Sequence, residues 1–521
     1  MKKYFQHAGS DLPAAIVVFL VALPLCLGIA LGSGAPLFSG IIAGITGGIV
    51  IGMLSGSQLS ISGPAAGLTV IVAAAIIRLQ VYEAFLLAVV LAGFFQLIFG
   101  FIRAGVLGDY VPNAVIKGML AAIGLILIMK QFPHLVGYDA DFEGDEGFAQ
   151  ADTNNTFSGI LQAIGRIHPM AVVIGSVSLF LLFLWERPAM KSFIILKLVP
   201  GPLVAVLSGI ALHAFVLNNY PGYALGKEQL VTLPVADSMQ SFVSFFTFPD
   251  IKHLSNPAVW TSAITIAIVA SLETLLGIEA ADKLDPLKRV TPPNRELKAQ
   301  GIGNMVSGLL GGLPLTSVVV RTSANISAGA RTRFSAIMHG LLLLVCVMFI
   351  PSLLNKIPLS ALAAVLIFTG YKLAKISLFK QFFQKGWDQF VPFVVTIAAI
   401  LITDLLTGIL IGIGVGLFFM VRSNFRSSVF MVKDANHFLI RLRKDVSFLN
   451  KPIVKKTLED VPENAAVLID ASRADFIDKD VIEEINNFLC HAHLKNIRVE
   501  VRKSMTNPMH ILFMEPKTPA A

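Results

Sequence analysis

Glu273 stands in Ala270-Ser-Leu-Glu-Thr-Leu-Leu-Gly277 and is the one acid between Trp260 and Ile278. A carboxylate in such an apolar run is costly at bilayer depth unless it is paired or protonated, and ionisable residues in that position mark ion and proton routes. Glu273 can therefore carry a proton or help to hold Na⁺. Arg321, in Val320-Arg-Thr-Ser-Ala-Asn-Ile-Ser-Ala-Gly329, is a second such residue. It can add positive potential for an anion, or pair with Glu273 or with helix ends in packing. His213 and His339 read as core or interfacial histidines. No His, Cys or Asp cluster has metal-ligand spacing. Gly301-Ile-Gly303 follows no strand and so is no dinucleotide loop, and no phosphate-binding P-loop is present. The chemistry expected is ion handling, with no cofactor, no metal and no enzyme activity.

Two broken apolar segments could do that handling. One opens with Ser60-Ile-Ser-Gly-Pro-Ala-Ala-Gly67, the other with Gly311-Gly-Leu-Pro-Leu-Thr-Ser317. A helix that starts in mid-membrane presents unpaired N–H groups and a partial positive charge. Two such starts facing each other would hold an anion without a full cation. Thr69 and Ser317 lie at these starts. As caps they would use the same N–H groups, so capping and anion binding both remain open for them.

The composition calls for a membrane setting. Of the 521 residues, 55% are hydrophobic and 14% charged, against about 25% charged in a soluble domain. One large soluble globule is excluded. Three cysteines cannot staple so long a chain, which excludes a disulfide scaffold. At about 20 apolar residues per crossing, spans are expected near 12–32, 35–55, 63–79, 82–102, 113–135, 168–186, 193–217, 258–280, 296–312, 316–328, 333–355, 357–375, 387–403 and 405–422. That is fourteen spans, and the first is not a cleavable signal. The short Gly/Pro-interrupted spans are third and tenth, each the third of its half. Matching breaks in two halves point to a transporter site built on repeats. Seven spans is an odd number, so the halves would be inverted.

The net charge of +8 needs no nucleic-acid partner, because cytoplasmic loops of membrane proteins collect Lys and Arg. With the N-terminus inside, the inner loops would carry Arg187, Lys191 and Lys197, then Lys283, Lys288, Arg289, Arg295 and Lys298, then Arg331 and Arg333, then Lys372, Lys375, Lys380 and Lys385. The stretch from Gln131 to Gly165 has no Lys or Arg and holds Asp139, Asp141, Glu143, Asp145, Glu146 and Asp152. Both termini are thus expected in the cytoplasm.

Charge density rises beyond Arg422: 27 of the 92 residues from 430 on are charged, against 47 of the 429 before. A transmembrane domain over 1–429 and a soluble domain over 430–521 follow. Residues 437–442 and 496–501 alternate like strands, 465–472 read as a buried strand, and 480–489 have helical period. That order argues a small α/β domain.

The run Leu468-Ile-Asp-Ala-Ser-Arg-Ala-Asp-Phe-Ile-Asp478, followed by a helix, resembles the STAS domain shared by anti-sigma-factor antagonists and anion transporters. Where the antagonists carry a phosphorylated serine after the last aspartate, this chain has Lys479. The domain could be structural and dimer-supporting, or a dock for a cytoplasmic regulator. The membrane part resembles the sulfate permease (SulP) family of anion transporters through Ala22-Leu-Pro-Leu-Cys-Leu-Gly-Ile-Ala30, Ser60-Ile-Ser-Gly-Pro64, Asn304-Met-Val-Ser-Gly-Leu-Leu-Gly-Gly-Leu-Pro314 and Val320-Arg-Thr-Ser-Ala-Asn-Ile-Ser-Ala-Gly329.

The resemblance implies an all-α polytopic protein with a cytoplasmic STAS domain. Its core would be spans 1–4 and 8–11, its gate spans 5–7 and 12–14, and it would form a homodimer in the cell inner membrane. The implied activity is secondary active transport of a small inorganic oxyanion, sulfate or bicarbonate; an elevator motion of core against gate is expected, with coupling to H⁺ through Glu273 read from this chain's own residues. The implied site holds Leu25, Ala65, Thr69, Glu273, Ser317, Val318, Val319 and Arg321. The amides of Val318 and Val319 would bind the anion, and Leu25 would be an apolar wall. Family members that carry bicarbonate with Na⁺ have Asp at the Glu273 position and Thr four residues on. This chain has Gly277 there, and Val319 at a further threonine position, so Na⁺ is the second choice of coupling ion. The same residues are also compatible with a dicarboxylate symporter, an anion channel or a signalling scaffold.

Overall fold

The long apolar runs become helices because a chain in hydrocarbon must satisfy its backbone hydrogen bonds within each segment. The computed structural model describes residues 7–139, 156–187, 199–235, 242–426, 429–503 and 512–515. These fall into two compact units, Met1–Ile413 and Gly414–Ala521. Lys191, Lys197, the acids from Asp141 to Asp152 and the start of the expected span 193–217 lie outside the described residues.

A helix occupies every expected span, and the last of them runs across the division between the units at Ile413 and Gly414. In chain order these are α1 (Ala8–Gly32), α2 (Leu37–Leu54), α3 (Thr69–Leu79), α4 (Tyr82–Phe101) and α5 (Asn113–Val136). An additional helix, α6 (Thr156–Gly165), turns through 116° into α7 (Pro169–Trp185). Next come α8 (Gly201–Asn219), α9 (Pro257–Leu284), α10 (Pro293–Leu310), α11 (Val319–Ser327), α12 (Phe334–Phe349) and α13 (Leu359–Leu373). After α14 (Ile376–Gln384), a short amphipathic helix the hydropathy pattern did not announce, follow α15 (Trp387–Ile402) and α16 (Leu405–Arg426). The expected core spans are α1–α4 and α9–α12; the gate spans are α5, α7, α8, α13, α15 and α16.

The two interrupted spans are half-length. α3 has 11 residues and α11 has 9, roughly 16 and 14 Å at 1.5 Å per residue, against about 30 Å of hydrocarbon. Each is preceded by an extended segment, β1 (Ser62–Pro64) and β2 (Leu315–Ser317). The two pair antiparallel, Ser62 opposite Ser317, Gly63 opposite Thr316 and Pro64 opposite Leu315. An inverted repeat brings the same segment of each half together in opposite directions, which this pairing displays. The paired strands were not expected from the sequence. They satisfy backbone groups that would otherwise be stranded where the helices are broken.

The second unit has a four-stranded sheet: β3 (Val429–Asp434), β4 (His437–Val446), β5 (Ala466–Ile477) and β6 (Arg498–Arg502), in that order. β3 and β4 are antiparallel, while β4–β5 and β5–β6 are parallel. Helices α17 (Lys451–Glu459) and α18 (Lys479–His491) supply the crossovers. Val454, Leu458, Val481, Ile482, Ile485 and Leu489 bury their apolar faces in a core with Phe438, Ile440, Val467 and Ile469. β3 and α17 add to the elements read from the sequence.

Candidate functional site

The helical starts of the two halves share one cavity. Ala65, Ala66 and Gly67 line it from the α3 side; Thr316, Ser317, Val318, Val319 and Val320 line it from the α11 side. Glu273, Leu276 and Gly277 of α9 form a third wall. Met119 and Ile123 of α5 with Leu405, Leu406 and Ile409 of α16 form an apolar fourth. The cavity measures about 40 Å³, several times the ~10–15 Å³ one water needs on this measure.

Among the described residues, no side chain caps either helical start. The Thr69 hydroxyl is buried and finds no hydrogen-bond partner among them. The Ser317 hydroxyl pairs at 2.6 Å with that of Ser60. Capping by these residues therefore gives way to uncapped helix ends, whose N–H groups and dipole face the cavity.

Backbone donors can be placed individually. The Val318 N–H donates to the Ile61 carbonyl at 2.9 Å, so it is committed to holding β2 beside the preceding segment of the other half. The first helical bond of α11 is donated by Thr322 to the Val318 carbonyl at 3.0 Å. That leaves Val319, Val320 and Arg321 as the opening turn, whose amides the helix itself cannot satisfy. Of the two amides expected as donors, that of Val318 is therefore engaged within the protein, while those of Val319 and Val320 open α11 without a helical partner.

Glu273 is 8% exposed, and its carboxylate lies against Gly67: a Cβ there would overlap Oε1. One turn on, a Cβ at Gly277 would overlap the Ser317 carbonyl and stand 2.8 Å from its Oγ. Gly277 is what lets β2 sit against α9. Arg321 is fully buried. Its Nη2 donates to the Pro64 carbonyl at 3.5 Å, and a Cβ on Gly63 would overlap Nη1. Nε and Nη1 find no hydrogen-bond partner among the described residues. The guanidinium and the carboxylate thus rest on two glycines of one segment, Gly63 and Gly67, with Arg321 behind the strand and Glu273 on the cavity wall.

Of the eight expected site residues, Ala65, Glu273, Ser317, Val318 and Val319 line the cavity. Leu25 is buried among the apolar core residues of α1, and Thr69 and Arg321 are buried close behind; these three are not in the lining. The polar residues that hold the crossing strands carried no assigned role in the sequence. Asn304 donates to the Gln96 Oε1 at 2.6 Å and to the Leu315 carbonyl at 3.1 Å, and accepts from the Leu315 N–H at 2.5 Å. Gln300 donates to the Ser62 Oγ at 2.7 Å, Thr322 Oγ1 accepts from the Ile61 N–H at 3.0 Å, and Asn325 donates to the Leu59 carbonyl at 2.9 Å. Buried polar groups partnered in this way specify one arrangement of the strands.

The sequence profile of the Sulfate permease family matches residues 9–398. The chain belongs to the sulfate permease family. It is 27% identical over 419 residues to YvdB of Bacillus subtilis, covering 80% of this chain and 74% of that one. It is 25% identical over 430 residues to the bicarbonate transporter BicA of Picosynechococcus, covering 80% and 70%. Among solved structures, the transmembrane domain of a cyanobacterial BicA superposes with a TM-score of 0.53 at 21% identity, over 79% of this chain and 98% of that one. The murine Slc26a9 anion transporter in its inward-facing state superposes with a TM-score of 0.63 at 14% identity, over 94% and 85%. This is a multi-pass family of sulfate and bicarbonate transporters, not of enzymes, and the superpositions extend the shared fold across both repeats.

Proposed function

We propose that this chain is a secondary active transporter of a small inorganic oxyanion, sulfate or bicarbonate, driven by a proton that travels with the anion on Glu273. One observation carries the reading: two uncapped half-helix starts, one from each repeat, converge on a cavity with a carboxylate in its wall. The amides of Ala66, Gly67, Val319 and Val320 supply directional donors, and the two helix dipoles add positive potential. Arg321, behind β1, strengthens that potential without touching the anion. A protonated Glu273 removes the repulsion a carboxylate would exert on the bound anion, so anion and proton favour each other's binding.

The gate side of the cavity presents Met119, Ile123, Leu405, Leu406 and Ile409. Apolar side chains of this kind form no directional bond to the α3 and α11 starts, which supports a core that slides past the gate as an elevator. The protein works as a homodimer in the inner membrane, with both termini and the STAS-like unit cytoplasmic, where that unit offers a dock for a regulator.

The test is uptake of radiolabelled sulfate and bicarbonate into proteoliposomes under separate H⁺ and Na⁺ gradients, with Glu273→Gln alongside. The wild type accumulates one of the two anions under a proton gradient, and the variant does not. Uptake driven only by Na⁺ would move the coupling to that ion; wild-type proton-driven uptake by the variant would remove Glu273 from the mechanism.

A further inference from the structure

The sheet of the second unit is covered on one face. There α17 and α18 pack against Phe438, Ile440, Leu442, Val467 and Ile469. Side chains alternate along a strand, so Leu439, Arg441, Leu468 and Asp470 point away from the helices. Residues opposite one another on adjacent strands share a face. Phe430 of β3, Arg441 of β4, Asp470 of β5 and Arg502 of β6 therefore form one row of the uncovered face. The next pair on that face, toward the carboxyl ends of β4 and β5, is Arg443 beside Arg473.

Of these arginines, Arg441 is paired with Asp470, Nε to Oδ2 at 3.0 Å. Arg443 and Arg473 are both exposed and lie side by side on strands about 4.8 Å apart. Among the described residues no ion pair is found for Arg443, Arg473 or Arg502. Asp445 and Asp475 come two residues further along their strands, where the register shifts again. Like charges held this close repel, and nothing within the sheet offsets that cost. A guanidinium presents a planar fork of donors that matches two oxygens of a phosphate group. Two such forks side by side fit one phosphate between them.

The place of the patch in the chain says which phosphate. α16 has 22 residues, roughly 33 Å, enough to cross about 30 Å of hydrocarbon. It ends at Arg426, and β3 starts at Val429. At no more than about 3.5 Å per residue, Phe430 lies within roughly 14 Å of the end of a membrane span. Phe430 and Val432 are 55% and 47% exposed, and both belong to the uncovered face, Val432 standing opposite Leu439. The Arg443 guanidinium is 6.0 Å from the Phe430 ring. Exposed aromatic and apolar side chains among cations make a surface that beds into lipid headgroups. Anionic headgroups attract basic residues held next to the bilayer, over roughly 10 Å at 0.1 M salt.

We propose that the uncovered face of this sheet docks on the bilayer, with Arg443 and Arg473 holding the phosphate of an anionic phospholipid. Arg441 and Arg502 add positive potential, and Phe430 and Val432 enter the headgroup layer. Docking fixes the second unit at the membrane surface, and the lipid composition sets how much of it is docked. The inference holds for either leaflet and for any transported anion.

The test needs no substrate. Hydrogen exchange is followed by mass spectrometry on the full-length protein in nanodiscs of phosphatidylcholine, alone or mixed with phosphatidylglycerol. The amides of residues 429–434, in a strand at the sheet edge, are expected to exchange at least about fivefold more slowly in the anionic discs at low salt. High salt is expected to remove that protection. Arg443→Gln combined with Arg473→Gln is expected to abolish it while exchange in α18, which reports a folded unit, stays as in the wild type. Each single variant is expected to weaken it and serves if the double variant does not fold. Equal exchange of 429–434 in both kinds of disc, or protection that survives the variants, overturns the docking. Inorganic phosphate added to neutral discs is expected to leave these amides unchanged; equal protection by it would assign the arginines to a free oxyanion and overturn the lipid.

Discussion

Gly277 shows how one missing methyl group positions the rest of the site. A Cβ there would strike the Ser317 carbonyl, and backbone does not step aside as a flexible side chain does. Gly277→Ala is expected to push β2 off α9, at about 1–3 kcal/mol for an overpacked contact. The loss should be read as a lower melting temperature of the purified protein together with transport reduced at least tenfold. A variant with wild-type melting and transport would mean that β2 has room to move. The absent hydroxyl at 277, which the sequence suggested as a lost cation ligand, has this steric reason. Glu273 was legible because an acid stands out in an apolar run. Gly277 was not, because the residue that excludes a side chain there lies 40 positions away in the chain.

Among elements, the pairing of β1 with β2 turns two half-helices into one site. The breaks themselves were legible from Gly and Pro, since both residues interrupt helices. The pairing was hidden because its partners are more than 250 residues apart and each strand is three residues long. For the same reason the Val318 amide was read as an anion donor when Ile61 already takes it. Asn304 is the main tie from α10 to these strands. Asn304→Ala leaves the Leu315 N–H and the Gln96 amide oxygen without a partner, at about 1–3 kcal/mol for each stranded buried group. Thermal unfolding in detergent should fall accordingly, and an unchanged midpoint would contradict the role given to this residue.

At the scale of the molecule, charge density changes beyond Arg422; the compact units divide at Ile413 and Gly414, and the sheet of the second unit begins at Val429. That unit offers a pH prediction of its own. The Asp470 carboxylate accepts from the Ser472 Oγ at 2.6 Å and from Arg441 Nε at 3.0 Å. Chiefly through the Ser472 hydroxyl, and then through the Ser472 N–H and Arg441, its pKa is held below the usual carboxylate range against the opposing effect of burial. A depressed folded pKa contributes stability above the ordinary carboxylate value, lost as pH falls through the folded one. Asp470→Asn should therefore lower the melting temperature of residues 430–521 at pH 7 and converge with the wild type toward pH 3. A gap that stays constant across that range would contradict the assignment.

The central claim is that backbone amides at two helix starts bind the anion, and Val319→Pro tests it with least disturbance. Val319 is the first residue of α11, and Val318 before it is extended at φ −91° and ψ 115°. Proline is accepted at a first helical position after an extended residue, and it removes one N–H. A hydrogen bond to a charged group is worth about 1.5–3 kcal/mol. The KM for the anion that the wild type carries, measured by radiolabelled uptake into proteoliposomes, should rise by about ten- to a hundredfold or more, with the protein still folded. A folded Val319→Pro protein with wild-type KM would show that the anion does not sit at these helix starts.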